Sequence, residues 1–271
     1  MDMRLATTSL LGLILATPAA AQSLDDKFWL EASIFDPKVD TKVQLSARDN
    51  PTIGTEIDFE SDLDLDKDKV LPAFFGGARI GSGFSIAGEY YALHRKGGAT
   101  LDRDITFKDV TYPVSAEVSS AFDTDIYRLV VGYEIVHRPT YELGIALGLH
   151  ATKIKVELNG QASVGGAGVT AQTRDEDVLA PLPTIGLFGA VEPVRRLTLN
   201  GRVDYLSLKI DQYKGRLINA QAAISYELIN HVSLGIAYRY VDYRLDVERE
   251  RTVGRLTYNF SGPSAFLRVG F

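Results

Sequence analysis

Apolar residues in this chain recur at every second position over long stretches, and that period restricts what it can fold into. At the C-terminal end Ala265, Leu267, Val269 and Phe271 fall on one face of an extended chain, and Ser264, Phe266, Arg268 and Gly270 on the other. A period of two describes a strand with one apolar side. In 122–135, Tyr127, Leu129, Val131, Tyr133 and Ile135 oppose Arg128, Val130, Gly132 and Glu134. In 141–156, Leu143, Ile145, Leu147 and Leu149 oppose Glu142, Gly144, Ala146, Gly148 and His150. The pattern repeats in 216–228 and 232–246. The apolar face is bulky and continuous, and the other is small or charged.

Two closed architectures use such strands. A soluble lipocalin-like barrel turns the apolar face inward, and a membrane barrel turns it outward to lipid. Three further features favour the membrane. Residues 1–21 read as a cleavable export signal: Arg4 begins it, Leu10, Leu11, Leu13, Ile14 and Leu15 form its apolar heart, and Ala19-Ala20-Ala21 supplies small residues for cleavage. The remainder, 22–271, offers no run of about 20 apolar residues; the nearest, 178–191, is interrupted by Pro181, Pro183 and Thr184. A spanning chain without such helices must close a barrel, because lipid leaves no backbone group unpaired. Finally, Gly and Ala crowd the inner faces, as a narrow lumen needs. There is no cysteine, which excludes a lipoprotein anchor, disulfides and thiolate metal sites. The net charge of −6 argues against nucleic-acid binding.

The sequence therefore predicts an all-β fold: a single antiparallel transmembrane β-barrel in the Gram-negative outer membrane. Strands are expected over about 27–47, 70–80, 84–97, 122–135, 141–156, 178–191, 197–210, 216–228, 232–246 and 255–271. That makes ten, with eight or twelve also compatible. The first overruns the 9–11 residues a crossing needs. Short turns at 81–83, 136–139, 192–196 and 229–231 alternate with longer polar stretches at 48–69, 98–122, 157–177, 211–216 and 247–254. Tight periplasmic turns and long extracellular loops alternate in this way.

The inner face carries both signs of charge. Arg79, Arg128, Arg202, Arg239 and Arg268 accompany Glu89, Glu134, Glu142, Asp204 and Glu227. Paired, they form a salt-bridge plug; with space between them, a selective passage for small solutes. The tract 53–69 is the most acidic, and its Asp62, Asp64 and Asp66 are weak candidates for a hard cation. It reads as a solvated extension alternating with Leu63 and Leu65. No histidine has a second one at ligand spacing, and no cofactor motif occurs. Catalytic pairings are weak: His231 with Ser233, or His94 with Asp102 or Asp104. The expected role is structural, surface-exposed or small-solute passage, without catalysis. The alternatives are an outer-membrane hydrolase of lipid A or peptides, and a soluble periplasmic binding barrel. Expected partners are outer-membrane lipid and lipopolysaccharide.

The chain resembles the small bacterial outer-membrane β-barrels. The terminal Ser264–Phe271 stretch and the leader carry the resemblance. Gly54–Leu63 and Thr100–Phe107 are similar to an uncharacterised proteobacterial barrel family with no assigned activity. The resemblance implies that Leu267, Val269 and Phe271 form the signal read by the barrel-assembly machinery.

Overall fold

The structure is a computed structural model describing residues 24, 26–47, 55–107, 110–164, 167–210, 213–248 and 252–271. The expected leader lies outside these residues.

Ten strands close a ring. β1 (Phe28–Phe35) and β2 (Lys38–Ala47) are two halves of the first, because both pair with β14 (Thr252–Gly270). The break falls at Asp36-Pro37, where proline has no N–H for the ladder. The Asp36 N–H donates instead to the Pro263 carbonyl at 3.0 Å. The other strands are β4 (Leu71–Ile80), β5 (Phe84–Thr100), β8 (Glu117–Arg138), β9 (Tyr141–Val164), β10 (Ala167–Val194), β11 (Leu197–Ile210), β12 (Tyr213–Ile229) and β13 (Val232–Glu248). Each pairs antiparallel with the next, and β1 pairs with both β4 and β14 to seal the wall. Phe271 finishes the seam: its N–H donates to the Phe28 carbonyl at 2.8 Å, and its own carbonyl accepts from the Lys27 and Phe28 N–H groups at 2.5 and 3.0 Å.

The faces follow the alternation. Leu147 and Ile185 are 68% exposed and Ile236 62%, while Arg128, Glu134 and Ala146 on the opposite face are buried. Such a belt of exposed large apolar side chains is compatible with lipid and not with water. Aromatic side chains bound it. Tyr90 and Tyr127 pair at one edge with ring centroids 5.0 Å apart, and Phe84 and Tyr133 at the other at 4.9 Å.

The expected long loops are largely something else. Residues 157–164 and 167–177 continue β9 and β10, which run for 24 and 28 residues. Strand β8 has 22. These strands rise beyond the aromatic edge, and there the polarity of their faces reverses. Phe122, Ile126, Ile154, Val156 and Leu158 point inward and are buried, whereas Lys153 and Lys155 point outward. Outside the bilayer, water favours an apolar interior.

The acidic tract is not a solvated extension either. It forms β3 (Glu56–Asp58) and a single helical turn, α1 (Phe59–Asp62), folded into the extracellular mouth. Ile57, Phe59 and Leu63 are fully buried there. Between β5 and β8, β6 (Ile105–Phe107) and β7 (Val110–Tyr112) form a second inward piece that pairs with β9. Together they cap the barrel with an apolar core. At Gly97 the cap meets the wall: a Cβ there would lie 2.5 Å from the Leu63 carbonyl oxygen, so only glycine admits this approach.

Candidate functional site

The chemistry-bearing side chains lie in the lumen, and strand register places them. Arg202, Gln221 and Arg239 are cross-strand neighbours on β11, β12 and β13. Glu89 and Arg128 are neighbours on β5 and β8. The two rows meet across the narrow barrel. Arg128 donates to Asp204 through Nε at 2.8 Å and Nη2 at 2.7 Å. Arg202 reaches Glu89 at 2.9 Å and Asp204 at 3.2 Å. Arg239 donates to the second Glu89 oxygen and, at 2.8 Å, to Gln221. Its guanidinium also lies over the Phe35 and Tyr91 rings, 5.2 and 5.0 Å from their centroids. Three arginines thus share two carboxylates and an amide oxygen, and all but the Arg202 and Gln221 side chains are buried. Burial of so many charges is tolerable only because each has partners.

A second tier lies toward the periplasmic end. Arg79 donates to Glu134 at 2.9 Å, to Glu142 at 2.5 Å and to the Asp26 carbonyl at 2.8 Å. Arg268 approaches the Asp26 carboxylate at 3.3 Å. Trp29 sits between these arginines, 5.9 Å from Arg79 and 5.5 Å from Arg268. A cavity of about 170 Å³ separates the tiers, lined by charged groups of both.

A third buried ion pair lies in the cap. Arg95 is fully buried; it donates to Glu60, and at 2.6 Å to the Thr41 hydroxyl. The other Glu60 oxygen accepts the Thr41 N–H at 2.7 Å. Sequence reading missed this pair. Glu60 lies in a tract that reads as solvated, and Arg95, although inside the expected strand 84–97, is not among the charges expected to line the lumen. The signal was present: Arg95 shares a face with Tyr91 and Leu93, both buried.

Of the ten residues expected to line the lumen, Glu227 stands apart. It accepts the His231 N–H at 3.3 Å and lies 3.9 Å from Arg196, so it braces a periplasmic turn. Asp62, Asp64 and Asp66 do not converge as a cation site. Asp62 takes Arg103 at 2.7 Å and the Asp58 N–H at 2.9 Å, while Asp64 and Asp66 point to solvent. Among the described residues, the acid–imidazole cluster close enough to share an ion is Glu134, His137 and Glu142. Arg79 already holds both of its carboxylates.

The catalytic pairings come apart. His231 is exposed in a turn with its ring stacked on Phe271, 6.2 Å between centroids, whereas Ser233 is buried in register with Glu227. His94 lies 3.8 Å from Asp125, and Asp104 accepts the Val114 N–H at 2.7 Å. Leu267 and Phe271 face the lipid side at the closing seam.

No family model matches the chain, and no curated protein matches it. Solved structures do. The outer membrane protease OmpT from Escherichia coli is 12% identical, with 94% of this chain and 100% of that chain covered at a TM-score of 0.61. The toluene transporter TodX of Pseudomonas putida is 10% identical over 91% of this chain and 90% of its own, at 0.39. The first likeness shows the fold: a bacterial outer-membrane β-barrel.

Proposed function

We propose that this is a closed outer-membrane barrel: a non-conducting, non-catalytic wall element that holds a folded cap at the cell surface. The observation that carries this reading is closure in series. The guanidinium–carboxylate tier, the Trp29 tier and the apolar cap each cross the lumen. A conducting lumen needs a continuous hydrated path. The exposed terminal residues Leu267 and Phe271 suit recognition by the assembly machinery before the seam closes.

Single-channel recording tests the proposal. The full chain is refolded into planar bilayers across a salt series, with folding checked by heat-modifiable gel mobility. Folded protein without discrete current is the expected result. Reproducible unitary conductance would overturn it and make the cavity between the tiers part of a solute path.

A further inference from the structure

On the outer surface above the aromatic edge, charges on several strand pairs face an opposite charge. On β8 and β9, Asp123 faces Lys155 and Asp125 faces Lys153. On β2 and β3, Lys42 faces Asp58 at 3.4 Å. Strands β11 to β13 also bring like charges together. Lys209 is in register with Lys214, and Arg216 with Arg244. All four are exposed. Like charges directly opposite destabilise a sheet, and overall composition does not force it, since the chain is net acidic.

Among the described residues, carboxylates neutralise this patch only in part. Arg216 and Arg244 share Asp242, each at 3.4 Å, near the limit of a hydrogen bond. Asp246 faces Lys214 but is bonded to Arg255 at 2.9 Å. The guanidinium forks therefore keep donors free to receive an anion from the side, and planar forks match phosphate oxygens.

A second feature lies on the same wall. Below the cations a groove of about 690 Å³ runs over β12, β13, β14 and β1 on the lipid side. Ala222 and Ala265 open it, and Ile224, Ile236, Tyr238 and Pro263 border it. Arg244 stands four residues above Tyr240 and six above Tyr238 on β13, which places the cations at headgroup depth. An apolar trough under a cationic shelf has the shape of one lipid, head above and chain below.

We infer that Lys209, Lys214, Arg216 and Arg244 form a binding site for a phosphate-bearing lipid of the outer leaflet, with an acyl chain in the groove below. The ligand class is a phosphorylated glycolipid of the lipid A type. This site is independent of whether the lumen conducts.

The test uses the full chain refolded in phosphatidylcholine vesicles. Lipid A carrying its phosphates, dephosphorylated lipid A, or inorganic phosphate is titrated in, and the midpoint of heat-modifiable unfolding is read with the apparent affinity. Phosphorylated lipid A should raise the midpoint, and high salt should weaken the effect. The Arg216→Gln/Arg244→Gln variant should bind about tenfold more weakly or worse. The Arg216→Lys/Arg244→Lys variant, which keeps the charge, guards against misfolding and should retain part of the affinity. Equal response to dephosphorylated lipid A, an equal response to free phosphate, or full affinity in the glutamine variant would each overturn the assignment.

Discussion

Arg95→Met strands a carboxylate in the cap. Methionine keeps much of the arginine's apolar length, so the change removes charge and donors more than volume. In the parent, Glu60 has two kinds of support: the Arg95 guanidinium and the Thr41 N–H at 2.7 Å. Both side chains are out of reach of water. The variant leaves only the amide, and breaking a buried pair by removing one partner costs about 3–5 kcal/mol. That cost falls on docking of the cap, because Glu60 belongs to α1 and the wall strands have their own ladders. The undocked population should therefore rise roughly a hundred- to several-thousand-fold. Native-state hydrogen exchange reads this directly. The Leu65 N–H, bonded to the Phe59 carbonyl at 3.0 Å, reports the cap, and β9 amides provide an internal reference. Protection at Leu65 should collapse while β9 is unchanged. The double variant Arg95→Met/Glu60→Gln removes the stranded charge and should recover most of the loss. If single and double variants exchange alike, or Leu65 protection holds in the single variant, the reasoning is refuted.

Other outcomes follow from the same geometry. Leu147→Arg sits on the lipid face beside Val131 and Ile185, and should cost about 2–4 kcal/mol in urea refolding into vesicles; a neutral result would contradict the lipid belt. Arg239→Leu leaves Glu89 with Arg202 and Arg128, so a loss of about 1–3 kcal/mol is expected. A lower heat-modifiability midpoint would register it, and an unchanged one would deny the tier a bracing role. For Asp58, burial opposes ionisation, but the Ser61 N–H and Lys42 outweigh it and hold the carboxyl below its ordinary 3.8. Its contribution to cap docking is thus complete above that value and fades as pH falls through the lowered one. Asp58→Asn should remove that acid dependence from the exchange of cap amides.

How much of this was legible in the sequence depended on the solvent each segment meets. Between Tyr127 and Ile135, alternation assigned both faces correctly, because lipid on one side and a narrow lumen on the other impose opposite demands at every residue. The ring of ten strands followed from the same signal, even across the Asp36-Pro37 break. The cap was harder. Glu56, Asp58, Glu60 and Asp62 alternate with Ile57, Phe59 and, beyond the helical turn, Leu63 and Leu65. A composition-weighted reading sees seven acids and concludes solvent. The structure buries the apolar residues and hides one acid, Glu60, against an arginine 35 residues away. Such a partner is set by which strand lies opposite, and local spacing does not encode it. Glu227 keeps its inward parity and is buried, but it lies so near the turn that a backbone amide claims it.

The reversal of polarity along single strands explains why the apolar closure lies outside the membrane. Within the belt, burying an apolar side chain in the lumen gains little over leaving it on the outer face, which lipid already keeps from water. There the interior is filled by groups that gain from one another, arginine forks on carboxylates. Above the aromatic edge the outer surface meets water, and the hydrophobic effect becomes available. Phe122 and Ile126 on β8 lie only a few residues from Arg128 on the same inward face, yet belong to the cap's core. A cap built from Phe59, Leu63, Phe107 and Tyr112 therefore gains from burial at that height, and not deeper, while the Arg95–Glu60 pair fixes it to the wall. Displacing it exposes those rings to water while the charged tier below remains braced by its own pairs. Cap release and opening of the lumen are thus separate events, and Arg95→Met should undock the cap without by itself creating a channel.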